Sequence, residues 1–149
     1  NEAALVRQIP YPPCSDVDLF ARVSSLNPSG SNPITSLANY QTYLDEAWVE
    51  IRGRLIAAGN RPELVISSTA LRRPHLLLTL ALIFEDLATR LNEAHEARAA
   101  HYRTEYDLSW SDVRFEYDAD DDGLSDGRDR RPGTPVVWLG SQRGPKWLV

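Results

Sequence analysis

Leu37, Tyr40, Leu44, Trp48, Ile51 and Leu55 recur at steps of three and four, the spacing that lines one face of a helix. The stripe predicts an amphipathic helix from Ser36 to about Ala58. Gly59 then stands where a helix end favours a left-handed residue, and Asp45, Glu46, Glu50, Arg52 and Arg54 supply the polar side.

Upstream, residues 1–36 are rich in Pro, Ser and Asn, as in IPYPPCSD and SSLNPSGSNPITS. That composition resists regular structure and reads as an extended arm with a connecting loop. Between the two stretches, SDVDLFARV predicts a short helix with Ser15 as N-cap and Asp18 closing a weak capping box. Its apolar contacts would be Leu19, Phe20 and Val23.

Downstream, Pro62 suits a first helical turn, and Ser67 or Ser68 is a candidate N-cap before Arg72. Proline lacks the amide proton that an interior helical position donates, so Pro74 marks the start of the next helix. The pattern then continues to about Tyr106, which would make a helix of about 45 Å. Leu76 to Phe84 is apolar on nearly every side and predicts a buried segment. Beyond Glu85 only one stripe survives: Leu87, Leu91, Ala94 or His95, Arg98 and Tyr102. On this reading the far half projects from the core or packs on another molecule.

At Val113 the period changes to two. Val113, Phe115 and Tyr117 alternate with Arg114, Glu116 and Asp118, as in a half-exposed strand, and Pro135–Leu139 (PVVWL) is the expected partner strand. The predicted fold is mainly α: a small helical bundle with one long helix, then a small β-hairpin, with extended N- and C-terminal arms. The expected boundaries are 1–36 for the N-terminal arm, 37–111 for the bundle, 112–140 for the hairpin and 141–149 for the C-terminal arm.

A length of 149 residues suits one domain with a real core. The net charge of −5 is local: residues 118–129 (DADDDGLSDGRD) hold six Asp and one Arg, leaving 15 basic and 15 acidic residues elsewhere. A neutral body does not advertise duplex DNA or an anionic membrane as partner. The longest apolar run, Leu76 to Phe84, is too short to span a bilayer. No signal peptide is visible, and a start at Asn1 rather than Met leads us to expect residues ahead of it in the native protein.

Packed aspartates repel one another, and a bound cation would offset that cost. Counted from Asp118 as position 1, Asp falls at positions 1, 3, 5, 9 and 12 with Gly at 6, the spacing of a calcium loop. The expected ligands are Asp118, Asp120, Asp122, the Leu124 carbonyl, Asp126 and Asp129, holding calcium in a structural role. Asp129 in place of Glu weakens bidentate closure. No paired helices flank the loop, so it is not an EF-hand. The competing reading is an acidic turn neutralised by Arg128, Arg130 and Arg131.

Catalytic signatures are missing: there is no G-x-S-x-G, HExxH, Walker loop or dinucleotide fingerprint. Cys14, the lone cysteine, makes no internal disulfide and reads as a surface or half-buried thiol. His95 and His101, six apart, point to different helix faces. Arg72, Arg73 and Arg98 read as helix-end charge balance. These features predict a non-enzyme. Trp48 belongs to the core stripe, whereas Trp110, Trp138 and Trp147 fall where aromatics often anchor interfaces. The expected interface residues are Trp138, Trp147, Leu148 and Val149.

SDVDLFARV, LANYQTYLDEAWVEIRGRLIAAG, LLLTLALIFEDLATRL running on to HYRTEYDLSW, and FEYDADDDGLSDGRD together resemble the head–tail adaptor (connector, or head-completion) proteins of long-tailed bacteriophages and gene transfer agents. The likeness spans roughly residues 15 to 130 and rests on pattern rather than on a diagnostic motif. It implies a structural virion protein in the phage neck, made in the host cytoplasm. Its partners would be the portal protein and a tail or stopper protein. The copies would form a homo-oligomeric ring, a dodecamer, with DNA passing through the lumen without sequence recognition and no membrane involved. The bundle would form the ring wall, and GPKWLV would dock on the portal. The long proline-rich N-terminal arm departs from the family pattern. Two other classes remain: a calcium-binding extracellular or cell-surface interaction module, and a small helical enzyme subunit.

Overall fold

The computed structural model describes residues 11–90 and 92–118, together with the backbone of 129–130. Four α-helices form its body: α1 (Asp16–Arg22), α2 (Gln41–Ala57), α3 (Arg72–Arg90) and α4 (Glu96–Asp112). A two-residue ladder of β1 (Phe115–Glu116) and β2 (Asp129–Arg130) follows. The mainly helical reading holds.

α2 forms on the stripe that predicted it. Leu44, Ala47, Trp48, Ile51 and Leu55 are buried on one face, and Gly59 takes the left-handed conformation at φ 77°. The helix starts at Gln41, not Ser36, because local side chains occupy the preceding amides. Thr35 Oγ1 accepts from Leu37 N at 3.1 Å, and Asp16 Oδ1 accepts from Tyr40 N at 3.0 Å.

α3 is the central helix. Leu77, Leu78, Leu80, Ala81, Ile83 and Phe84 are all buried, as a segment apolar on every side requires. A 3-10 turn, Ser68–Leu71, feeds it directly, with Ser67 Oγ accepting from Thr69 N at 3.2 Å. α3 therefore begins at Arg72, ahead of the expected start. Pro74 is tolerated because the first turn has no intrahelical acceptor for its missing amide.

The single long helix from Pro74 to Tyr106 is not formed. The chain breaks after α3, and Asn92 Oδ1 accepts from Ala94 N at 2.8 Å to start a new turn, Glu93–His95. α4 then runs back along α3. Tyr102 stacks on Phe84 with ring centroids 5.6 Å apart, and Arg103 reaches Glu85 at 2.9 Å. The far half thus covers its own chain and buries Ala99, Tyr106 and Trp110, which removes the reason for it to seek another molecule. Closing the hairpin buries these apolar groups, worth about 1.5–3 kcal/mol for a large side chain; a straight rod would leave them in water.

Two apolar clusters result. One joins Trp48, Ile51, Leu55, Leu77, Leu78, Tyr106, Trp110, Phe115 and Tyr117. The other joins Cys14, Leu19, Leu26, Tyr40, Leu80, Ile83, Phe84 and Leu87. The described part of the expected N-terminal arm therefore packs onto the bundle, fixed by Tyr40 Oη donating to the Leu26 carbonyl at 2.9 Å. Trp110, grouped in sequence with candidate interface aromatics, is core at 3% exposure.

Candidate functional site

The acidic loop begins on a strand held from two sides. Val113, Phe115 and Tyr117 are buried while Arg114 and Glu116 are exposed, as their alternation required. On one edge, Ile66 N donates to Glu116 O at 3.1 Å and Asp118 N to Leu64 O at 2.9 Å, around an antiparallel bridge between Val65 and Tyr117. On the other edge, Phe115 pairs with Arg130 and Glu116 with Asp129. Pro135–Leu139, the expected partner, lies outside the described residues and is displaced from this register: β2 occupies one edge and residues 64–66 the other.

This ladder brings the two ends of the twelve-residue segment to the same place. Asp118 is buried at 7% exposure, and Asp129 lies across from Glu116. Asp120, Asp122, Leu124 and Asp126 lie outside the described residues, as do Trp138, Trp147, Leu148 and Val149. Among the described residues no cluster of His, Cys, Asp or Glu has the arrangement of a metal site. Tyr117 Oη accepts from Arg61 N at 3.1 Å, so the strand ahead of the loop is tied to the end of α2.

The other candidate side chains are tied into the body rather than gathered in a site. Cys14 is buried, its Sγ donates to the Arg72 carbonyl at 3.1 Å, and burial pushes the thiol up to about 11. A thiol so held is protonated at neutral pH and is no nucleophile. His75 is fully buried. Its Nε2 lies 2.8 Å from the Leu44 carbonyl, so the proton sits there, and its ring meets Trp48 edge-on at 5.6 Å. Burial holds this imidazole below its ordinary value. Burial alone would raise Asp18, but hydrogen bonds from Ser15 and the Arg72 guanidinium lower it.

Arg72 pairs with Asp18 and Arg73 with Glu105, while Arg98 lies over the Phe84 ring at 5.5 Å. Arg54 pairs with Asp107 at 2.8 Å and covers the rings of Tyr106 and Trp110 at 5.0 and 4.9 Å. A cleft of about 240 Å³ lies between residues 34–37 and the end of α3. Its ionisable lining residue, Arg90, is engaged with Asp86 at 3.2 Å. Among the described residues no helix is long and apolar enough to cross a membrane.

What the helical stripes did not disclose is the set of apolar side chains left outside. Val17, Val49, Ile56 and Leu108 are 73%, 68%, 60% and 59% exposed. The available signal was phase: Val49 and Ile56 fall out of step with the Leu44–Trp48–Ile51–Leu55 stripe. Comparison with known protein families, curated proteins and solved structures finds no match for this chain.

Proposed function

We propose that this protein is a structural adaptor whose work is to be gripped by other proteins, and specifically a head–tail adaptor that sits as a ring between a phage portal and its tail. The observation that carries the reading is a closed core surrounded by outward-facing apolar residues on three helices: Val17 on α1, Val49 and Ile56 on α2, and Leu108 on α4. Ionisable groups of the body are engaged in helix-to-helix pairs, such as Arg103 with Glu50 and Glu85. That arrangement suits a scaffold better than a reaction centre.

The family resemblance supports the same reading. Its quoted segments fall on α1, on α2 and on the α3–α4 hairpin, and the Asp-rich segment follows directly. In this reading calcium in the acidic loop is a structural ion that fixes the hairpin. The C-terminal GPKWLV is the portal anchor, and the neck of the virion is the protein's place.

Gold-labelled antibody against the protein, viewed by electron microscopy on phage particles from the source, tests the reading. Label at the head–tail junction is expected; label elsewhere, or none on intact particles, overturns it. A calcium-dependent surface module is the second reading, favoured by the convergence of Asp118 and Asp129 at the ladder. Label on cell surfaces rather than particles would select it.

A further inference from the structure

α2 and α4 run parallel, side by side, within the chain. Arg103 Nη1 donates to Glu50 at 3.0 Å and Arg54 Nη1 to Asp107 at 2.8 Å, so residues advance together along both helices. Each helix also presents a second face outward. On α2 this face carries Val49 and Gly53, and nothing lies within 4 Å of where a Cβ on Gly53 would stand. On α4 it carries exposed Thr104 and Leu108. Glu46, Arg52 and His101 are exposed and have no ion-pair partner among the described residues.

We propose that α2 of one copy packs in parallel on α4 of a second copy, with Leu108 seated over Gly53. A single shift along the two helices then satisfies four pairs at once. Leu108 meets Gly53, Thr104 meets Val49, His101 faces Glu46, and Arg52 faces Asp107. Missing side-chain bulk at glycine allows the close approach, and residues three and four apart share the contacting face. Charge selects the direction: reversing one helix sets Glu46 against Asp107 and Arg52 against His101, which removes both attractive pairs.

The contact is heterologous, joining two different faces, so it propagates from copy to copy until rotation closes a ring. Parallel helices are what such a ring requires, because rotation about an axis along the bundle preserves helix direction. The contact stands on the two faces; its closure into a ring rests on the adaptor reading above.

Paired cysteines test it with the full chain. Val49→Cys and Thr104→Cys are made singly and together, then oxidised with diamide at high protein concentration, with circular dichroism to verify folding. We expect each single variant to stay monomeric on a non-reducing gel. A one-to-one mixture should give a disulfide dimer, and the double variant a ladder. Adding Leu108→Glu, at a site already exposed, should abolish the ladder and leave the helical signal. A dimer from Val49→Cys alone would mean that α2 packs on α2, and the proposal fails. No cross-link in mixture or double variant also overturns it; the face is then open or covered by the chain's own termini. A ladder from a protein missing from virion necks would keep the contact and sink the adaptor reading. Neck labelling without a ladder would do the reverse.

Discussion

His75 and Leu44 join the two central helices: Nε2 of the imidazole lies 2.8 Å from the Leu44 carbonyl, in a site with no solvent access. The bond fixes the neutral tautomer, and no hydrogen-bond partner stands at Nδ1. Protonation would place a charge in the core beside Trp48, with Asp45 and Asp18 the acidic groups that partly favour it.

Stability should therefore fall as the medium is acidified. The folded-state value lies below the ordinary 6.5, so below about that pH the unfolded chain binds a proton that the native chain refuses. The slope is at most about 1.4 kcal/mol per pH unit and continues until the folded-state value is reached. Urea melts between pH 7 and 5 should show the loss. His75→Gln should be less stable at pH 7 yet flatter across that window; an equal slope would remove His75 as its source.

Asn92 caps the turn that separates α3 from α4, its Oδ1 accepting from Ala94 N at 2.8 Å. Asn92→Ala should cost about 0.5–2 kcal/mol, as for other lost caps. The hairpin should survive, because buried contacts between Phe84, Tyr102 and Leu87 hold it rather than the cap. Chemical denaturation gives the first quantity. Unchanged near-ultraviolet circular dichroism would show that the aromatic packing persists.

Calcium, if it occupies the acidic loop, stabilises the native state by mass action, by about 2.7 kcal/mol at a hundred times its dissociation constant. The melting temperature should rise with calcium for the parent chain and stay fixed for the double variant Asp120→Ala, Asp122→Ala. If calcium shifts neither, arginines neutralise the turn instead.

Removing residues 144–149 should abolish binding to the portal while the far-ultraviolet spectrum stays helical, since the described bundle is closed without them. Co-sedimentation with purified portal rings measures this. Full binding by the truncated chain would dismiss Trp147, Leu148 and Val149 as the anchor.

The sequence by itself determined which faces seek burial. The Leu44–Trp48–Ile51–Leu55 stripe, the Gly59 terminus, the all-round apolar run of α3 and the alternation at Val113, Phe115 and Tyr117 each carry a period that local geometry enforces. Only the tertiary structure decided what those faces meet. Residues 91–95 (LNEAH) contain good helix formers, and Asn92 is the one local mark of the break; the chain turns there because α4 can cover α3. Trp110 became core, and the segment before α2 became a wall, for the same reason. The pairing of Val65 with Tyr117 had no local signal at all, because a backbone bridge between distant residues depends on how the helices between them pack.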